Sequence, residues 1–175
     1  MINRELYMEQ ITPFIDKPFV KVITGIRRCG KSVVLRLIRE ELLRRGVSED
    51  YIIYMNFESF EWIDMKEAKA LYAHIREATK APGKYYILLD EIQEVTDWEK
   101  AVNAFLVDLD VDIYVTGSNS RLLSSEFSTY LAGRYVAFHI MTLSFREYLL
   151  FHDLPLTISV SDRKTEFLKY LRMGG

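Results

Sequence analysis

The sequence predicts an α/β fold, a mainly parallel sheet held between two layers of helices. Three observations predict it. Five short apolar runs, rich in β-branched and aromatic residues, recur along the 175 residues. Stretches with helical spacing of apolar residues separate them, and that alternation calls for right-handed crossovers and a parallel sheet. Between the first run and the first helical stretch lies "GIRRCGKS", residues 25–32. Its order is glycine, four free positions, glycine, lysine, serine, which is the pattern of a phosphate-binding loop, or P-loop.

The first run, "FVKVITG" at residues 19–25, leads straight into that loop. "YIIYMNF" at 51–57, "YYILLD" at 85–90, "VDIYVTG" at 111–117 and "YVAFHI" at 135–140 follow. The middle runs are apolar nearly throughout, as burial on both faces requires. The fifth alternates Val136, Phe138 and Ile140 with Tyr135, Ala137 and His139, which predicts an edge strand with one wetter face. After the loop, "KSVVLRLIREELLRRG" places Val34, Leu35, Ile38 and Leu42 on one helical face and stops at Gly46. Ala68, Leu71, Tyr72 and Ile75 repeat that spacing before "APG" ends it. Thr96 and Glu99 are spaced as a capping box for a helix that buries Trp98, Val102, Phe105, Leu106 and Leu109.

Composition sets the class. Hydrophobic residues make up 49% and charged residues 27%, a globular balance for one domain of ordinary size. The formal net charge of -2 gives no global pull towards nucleic acid or an anionic membrane. A single cysteine excludes an internal disulfide, and with three scattered histidines it gives no zinc pattern. No apolar run reaches membrane-spanning length, and "MINRELYMEQ" lacks a signal-peptide core. The expected compartment is the cytoplasm. "TEFLKYLRMGG" reads as a helix running into glycines; the letters allow either a short native tail or the expectation taken for residues 1–175, a fragment of a longer protein.

The loop chemistry follows from what a triphosphate needs. Backbone N–H groups and the positive end of a helix can cradle the anion. Gly25 permits the turn and Gly30 the close approach. Lys31 can reach the phosphates, and Ser32 can place its hydroxyl on magnesium. Magnesium also wants a carboxylate, and "YYILLDEIQ" supplies Asp90 at a strand end. Glu91, next in the chain, is the candidate general base for an attacking water. The fourth run ends in "TGSNS", so Thr116, Ser118 and Asn119 bring polar groups to the same sheet edge. Arg27 and Arg28 lie inside the loop, near phosphate or near a partner approaching it. Arg134, in "LAGRY", is a candidate for neutralising charge in phosphoryl transfer. Cys29 occupies a free position of the motif and needs no catalytic role. Its place near a helix start and Lys31 predicts an incidentally reactive thiol.

Among nucleotide-using classes, a GTPase is disfavoured because the chain has no Asn-Lys pair. A small-molecule kinase shares the loop but usually lacks a strand such as "YIIYMNF" between the loop and the acidic strand. The pattern favours a catalytic-glutamate ATPase. A nucleotide-dependent switch with negligible turnover needs the same loop and stays open.

"VITGIRRCGKS", "ILLDEIQ", "WEKAV", "VTGSNSRLLSSEFSTYLAGRY" and "LSFREYL" together resemble the N-terminal ATPase domain of a prokaryotic AAA-superfamily group that carries a C-terminal domain of unknown function. The resemblance covers nearly the whole chain. It implies a three-layer α/β/α P-loop NTPase core with a five-stranded sheet in the order 5-1-4-3-2. It implies ATP and Mg2+ as ligands, with Ser32 and Asp90 serving the metal. By it, Asn119 is the sensor residue, Arg134 the arginine of a glycine-arginine motif, and the amide of Val33 joins Gly25, Arg28, Cys29, Gly30, Lys31 and Ser32 in binding nucleotide. Homo-oligomers through AAA-type interfaces are an implied partner, and DNA is a candidate one. Whether Arg134 acts in its own site or a neighbour's stays open. Cys29 stands where the family more often has valine.

Overall fold

A computed structural model describes residues 4–118, 122, 130–157 and 159–173. Five strands form one sheet in the order β2-β3-β4-β1-β5, the expected order read from its other edge. They are β1 (Val20–Gly25), β2 (Ile52–Asn56), β3 (Tyr85–Asp90), β4 (Val111–Ser118) and β5 (Tyr135–Ile140). Every neighbouring pair is parallel. The described helices are α1 (Glu5–Ile11), α2 (Lys31–Arg44), α3 (Ala68–Ala78), α4 (Trp98–Asp108), α5 (Phe145–Phe151) and α6 (Val160–Met173).

Strand side chains alternate between two cores. Ile87 and Leu89 of β3, with Ile113 and Val115 of β4, pack against Leu71 and Ile75 of α3 and against Val102 and Phe105 of α4. Their neighbours Tyr86, Leu88 and Tyr114 pack the other way, against Val34, Leu35, Ile38 and Leu42 of α2 and Ile11 of α1. This explains the unbroken apolar runs, because each residue of a central strand meets one helical layer or the other. At the edge, Phe138 and Ile140 of β5 are buried while Ala137 and His139 are exposed, as the alternation predicts.

Two local expectations are corrected. Thr96 does not cap α4. The helix begins at Trp98, and Asp97 stands at its N-cap in a left-handed conformation, φ 57°, with no side-chain cap. Thr96 is instead held by its backbone in a short parallel bridge to Glu67. Its N–H donates to the Lys66 carbonyl at 2.9 Å, and its carbonyl accepts from Ala68 at 3.1 Å. The pairing claims the residue before a cap can form.

The end of the sheet opposite the loop carries a charge in its core. The Lys21 side chain of β1 is fully buried and pairs with Asp112 of β4. Its ammonium also donates to the Lys17 carbonyl at 2.8 Å. The second Asp112 oxygen accepts from the Tyr114 hydroxyl at 2.9 Å and from the Asp16 N–H at 2.9 Å. Burial pushes the Lys21 pKa down against the pull of Asp112. It also holds the Tyr114 hydroxyl far above the ordinary phenol value, with Asp112 adding to the rise.

Candidate nucleotide site

The loop sits where β1 ends and α2 begins. Gly30 stands at the N-cap of α2 in a left-handed conformation, φ 98°, a conformation that glycine adopts at least cost. A side chain at Gly25 would collide with neighbours, since its Cβ would lie 2.4 Å from the Ile140 carbonyl oxygen and 2.6 Å from the Cys29 sulfur. Arg28 also takes a positive φ, 64°. No side chain caps the start of α2, which leaves its first-turn amides, at Lys31, Ser32 and Val33, for another acceptor. The loop therefore has the form of an anion cradle, and its donor set suits phosphate.

Lys31 is nearly buried, 4% exposed, where a residue at the mouth of the site would be solvated. Its ammonium lies 3.3 Å from a Glu91 carboxylate oxygen and donates to the Ile26 carbonyl at 3.3 Å. That contact joins two residues sixty positions apart in sequence, one from the loop and one from the end of β3. The Gln93 side-chain amide donates to the other Glu91 oxygen at 2.5 Å. The Glu91 backbone is left-handed, φ 54°, and its N–H donates to the Thr116 hydroxyl at 2.9 Å. That hydroxyl donates in turn to Asp90 at 2.5 Å.

Asp90 is fully buried. Its remaining oxygen accepts from the Tyr54 hydroxyl at 3.0 Å. Burial and the Asp90 charge together push the Tyr54 pKa well above the ordinary phenol range. With both oxygens so engaged, Asp90 suits an outer position around a hydrated cation better than direct ligation. The oxygen donors at hand, Ser32 and the carboxylates, are of the hard type that magnesium takes. Tyr54, Thr116 and Gln93 thus organise the acidic pair. Thr116 stands at the expected sheet edge, and its hydroxyl is spent on the acidic pair itself.

The remaining candidates are placed as follows. The Cys29 sulfur is packed into the core beneath the loop, 3% exposed, among the residues that face α2, so the expected reactivity lacks access. Arg27 and Arg28 are exposed, and Arg27 lies 3.9 Å from Glu58. Asn119 lies outside the described residues. Arg134 is at the far end of the sheet. Its carbonyl accepts from Val20 at 2.8 Å, at the start of β1, and its guanidinium donates to Asn103 of α4 at 3.0 Å. Gly25 lies five residue steps of extended strand beyond Val20, about 17 Å at the usual rise. An arginine side chain does not bridge that gap within one chain.

A parallel sheet in this order, a phosphate loop after β1 and an acidic pair at the end of β3 define a P-loop NTPase fold of the AAA type. Comparison with known proteins agrees. Residues 17–149 match the AAA domain family, and the chain belongs to it. An uncharacterised protein of Haemophilus influenzae is 48% identical, aligned over the whole chain and 44% of its own length. An uncharacterised protein of Methanocaldococcus jannaschii, MJ1544, is 34% identical over 98% of the chain and 36% of its own length. The chain thus spans less than half the length of either relative. Among solved structures, AMPPCP-bound DnaA from Aquifex aeolicus superposes with a TM-score of 0.58 at 17% identity, over 99% of this chain and 62% of that one. Hsp104 with ATPγS gives 0.59 at 12% identity, over 85% and 28%. Aeropyrum pernix ORC1 in complex with DNA gives 0.55 at 17% identity, over 95% and 50%. Among the described residues, no helix is long and apolar enough to cross a membrane.

Proposed function

We propose that this domain binds ATP with magnesium and hydrolyses it, coupling turnover to a partner or to a further domain. The observation that carries this reading is the 3.3 Å approach of Lys31 to Glu91, which puts the phosphate-binding cation and the candidate base in one site. The amides of Gly30 to Val33 and the Lys31 ammonium would hold the phosphates, with Gly25 and Gly30 keeping the backbone close and Arg28 and Cys29 contributing through the loop. Ser32 would ligate magnesium, with Asp90 accepting from its waters. When bound there, the metal would offset the negative charge of the phosphates. Glu91 would take a proton from the attacking water once Lys31 turns to phosphate. Tyr54 and Thr116 hold Asp90, and Thr116 and Gln93 hold Glu91, so the acidic pair needs little reorganisation.

The same ion pair favours a second reading. Both Glu91 oxygens are engaged by Lys31 and Gln93, an arrangement that suits a nucleotide-dependent switch with negligible turnover. Arg134, at the far end of its own sheet, would act on a neighbouring subunit's site in a homo-oligomer, and Asn119 would sense the terminal phosphate. DNA stays a candidate partner, in line with the DNA complex of one structural neighbour, Aeropyrum pernix ORC1. Lys31→Ala should abolish magnesium-ATP binding in calorimetry, and unchanged affinity would refute the site. Glu91→Gln should keep affinity and lose turnover, a loss confined to the transition state. If the parent protein binds ATP but turns over no faster than Glu91→Gln, the switch reading stands instead.

A further inference from the structure

Arg4 is the largest of the fully buried side chains, 2% exposed, and lies outside every motif read from the sequence. A guanidinium stays charged, and burying one is costly unless its donors are met. Two carbonyls accept hydrogen bonds from its terminal nitrogens and a carboxylate offsets its charge, while Nε itself makes no hydrogen bond. One Nη donates to the Cys29 carbonyl at 2.9 Å. The other donates to the Met141 carbonyl, just past β5, at 2.8 Å. Nε lies 2.8 Å from a Glu147 carboxylate oxygen in α5. The Tyr7 ring lies beneath the group, 4.7 Å from ring centre to guanidinium carbon. The Tyr7 hydroxyl accepts from the Met141 N–H at 3.0 Å.

The Cys29 contact concerns the loop directly. A cradle works when its amides point inward, and the carbonyls between them must then point outward and find donors of their own. The Cys29 carbonyl belongs to the peptide whose N–H is that of Gly30. Holding that oxygen outward turns that N–H towards the cradle. The Arg4 terminal nitrogen also lies 3.1 Å from where a Gly30 Cβ would be, so the group backs the loop at its closest point. A lysine carries its donors on one nitrogen and has no planar fork to reach the two carbonyls from separate atoms.

We infer that Arg4 is a positioning residue for the phosphate loop, fixing the Cys29–Gly30 peptide against the β5–α5 connection. The inference rests on the nucleotide-binding reading of that loop. Through Glu147, which also closes a capping box with Ser144 at the start of α5, the same guanidinium ties the loop to the helices that follow the sheet.

The test compares Arg4→Lys with Glu147→Gln, which leaves the Cys29 contact in place. Far-UV circular dichroism establishes that each variant is folded. Affinity for magnesium-ATP is then measured by calorimetry, and amide hydrogen exchange is followed for residues 26–33 without nucleotide. Arg4→Lys should weaken affinity about tenfold or more, equivalent to roughly 1.4 kcal/mol. It should also speed loop exchange beyond any change in the core strands. Glu147→Gln should stay within about threefold on affinity by the same scale. Equal effects of the two variants on both measurements would make Arg4 a packing residue and overturn the inference. Unchanged affinity and loop exchange in Arg4→Lys would do the same. If the parent protein binds no nucleotide, the site reading fails on that result alone, and the exchange comparison still decides the role of Arg4. Should Arg4→Lys not fold, Arg4→Gln is measured in the same way.

Discussion

Replacing Thr116 with valine removes one hydroxyl and keeps the shape of the side chain. That hydroxyl makes two buried contacts, donating to Asp90 at 2.5 Å and accepting from the Glu91 N–H at 2.9 Å. The bond to a carboxylate contributes about 1.5–3 kcal/mol and the bond from the amide about 0.5–1.5 kcal/mol. The expected loss of stability is therefore roughly 2–4 kcal/mol, a sizeable share of the about 5–15 kcal/mol of an ordinary domain. In urea unfolding followed by circular dichroism, the midpoint should fall by about 1–2 M, given usual slopes. The left-handed turn at Glu91 also loses its anchor, so its carboxylate is no longer aimed. Turnover should drop about a hundredfold, the usual effect of a displacement near 1 Å, with a smaller change in ATP affinity. Thr116→Ser restores the hydroxyl and should recover most of both losses. A valine variant that unfolds within about 0.3 M of the parent and turns over at a similar rate would refute the account of how the acidic pair is held.

At the other end of the sheet, Asp112→Ala strands the buried Lys21 ammonium and should cost about 3–5 kcal/mol in the same unfolding assay; Lys21→Met with Asp112→Leu should recover most of it. The Glu41 carboxyl on α2 is drawn down from 4.5 to about 2 by hydrogen bonds from Arg44 and Arg45. Because its folded value is the lower one, its stabilisation is full above pH 4.5 and is lost as pH falls towards about 2. As Arg44 is largely solvated, Glu41→Gln should cost only about 1 kcal/mol at neutral pH, with parent and variant converging in acid unfolding. For Arg134, mixed oligomers of Arg134→Ala and Lys31→Ala proteins should regain part of the activity that each lacks alone, and no recovery in demonstrably mixed assemblies would remove Arg134 from a neighbour's site.

The sheet was legible because burial on two faces writes itself into consecutive residues. Tyr85 to Asp90 could hardly be anything but a central strand, and the alternation after Arg134 marked the edge. The loop was legible because its glycines answer to backbone geometry, which is local. Contacts closed across the fold were not. Arg4 meets the Met141 carbonyl across 137 positions, and an arginine near a chain start reads as solvated. Lys21 in "FVKVITG" looks like an outward-facing strand residue until Asp112 is seen beside it. The capping box at Thr96 failed for the same reason, since a backbone bridge to Glu67 competes with the cap. Gln93 could have been noticed, because it falls two residues after Glu91, but its hold on that carboxylate depends on the turn at Glu91.

The position of β1 in the sheet constrains how the chain comes off the ribosome. This strand precedes the loop and is among the first apolar segments made, yet its two neighbours are β4 and β5. It pairs with Tyr114 and Tyr135 and the residues around them, all of which emerge near the end of the domain. Until then Val20, Val22 and Ile23 have no sheet to enter, and an unpaired apolar strand is prone to wrong association. The nascent chain must keep this segment sheltered, in collapsed form or by a chaperone, through most of its own synthesis. Slowing translation after residue 140 should help little, whereas slowing it between β3 and β5 should lengthen the vulnerable interval.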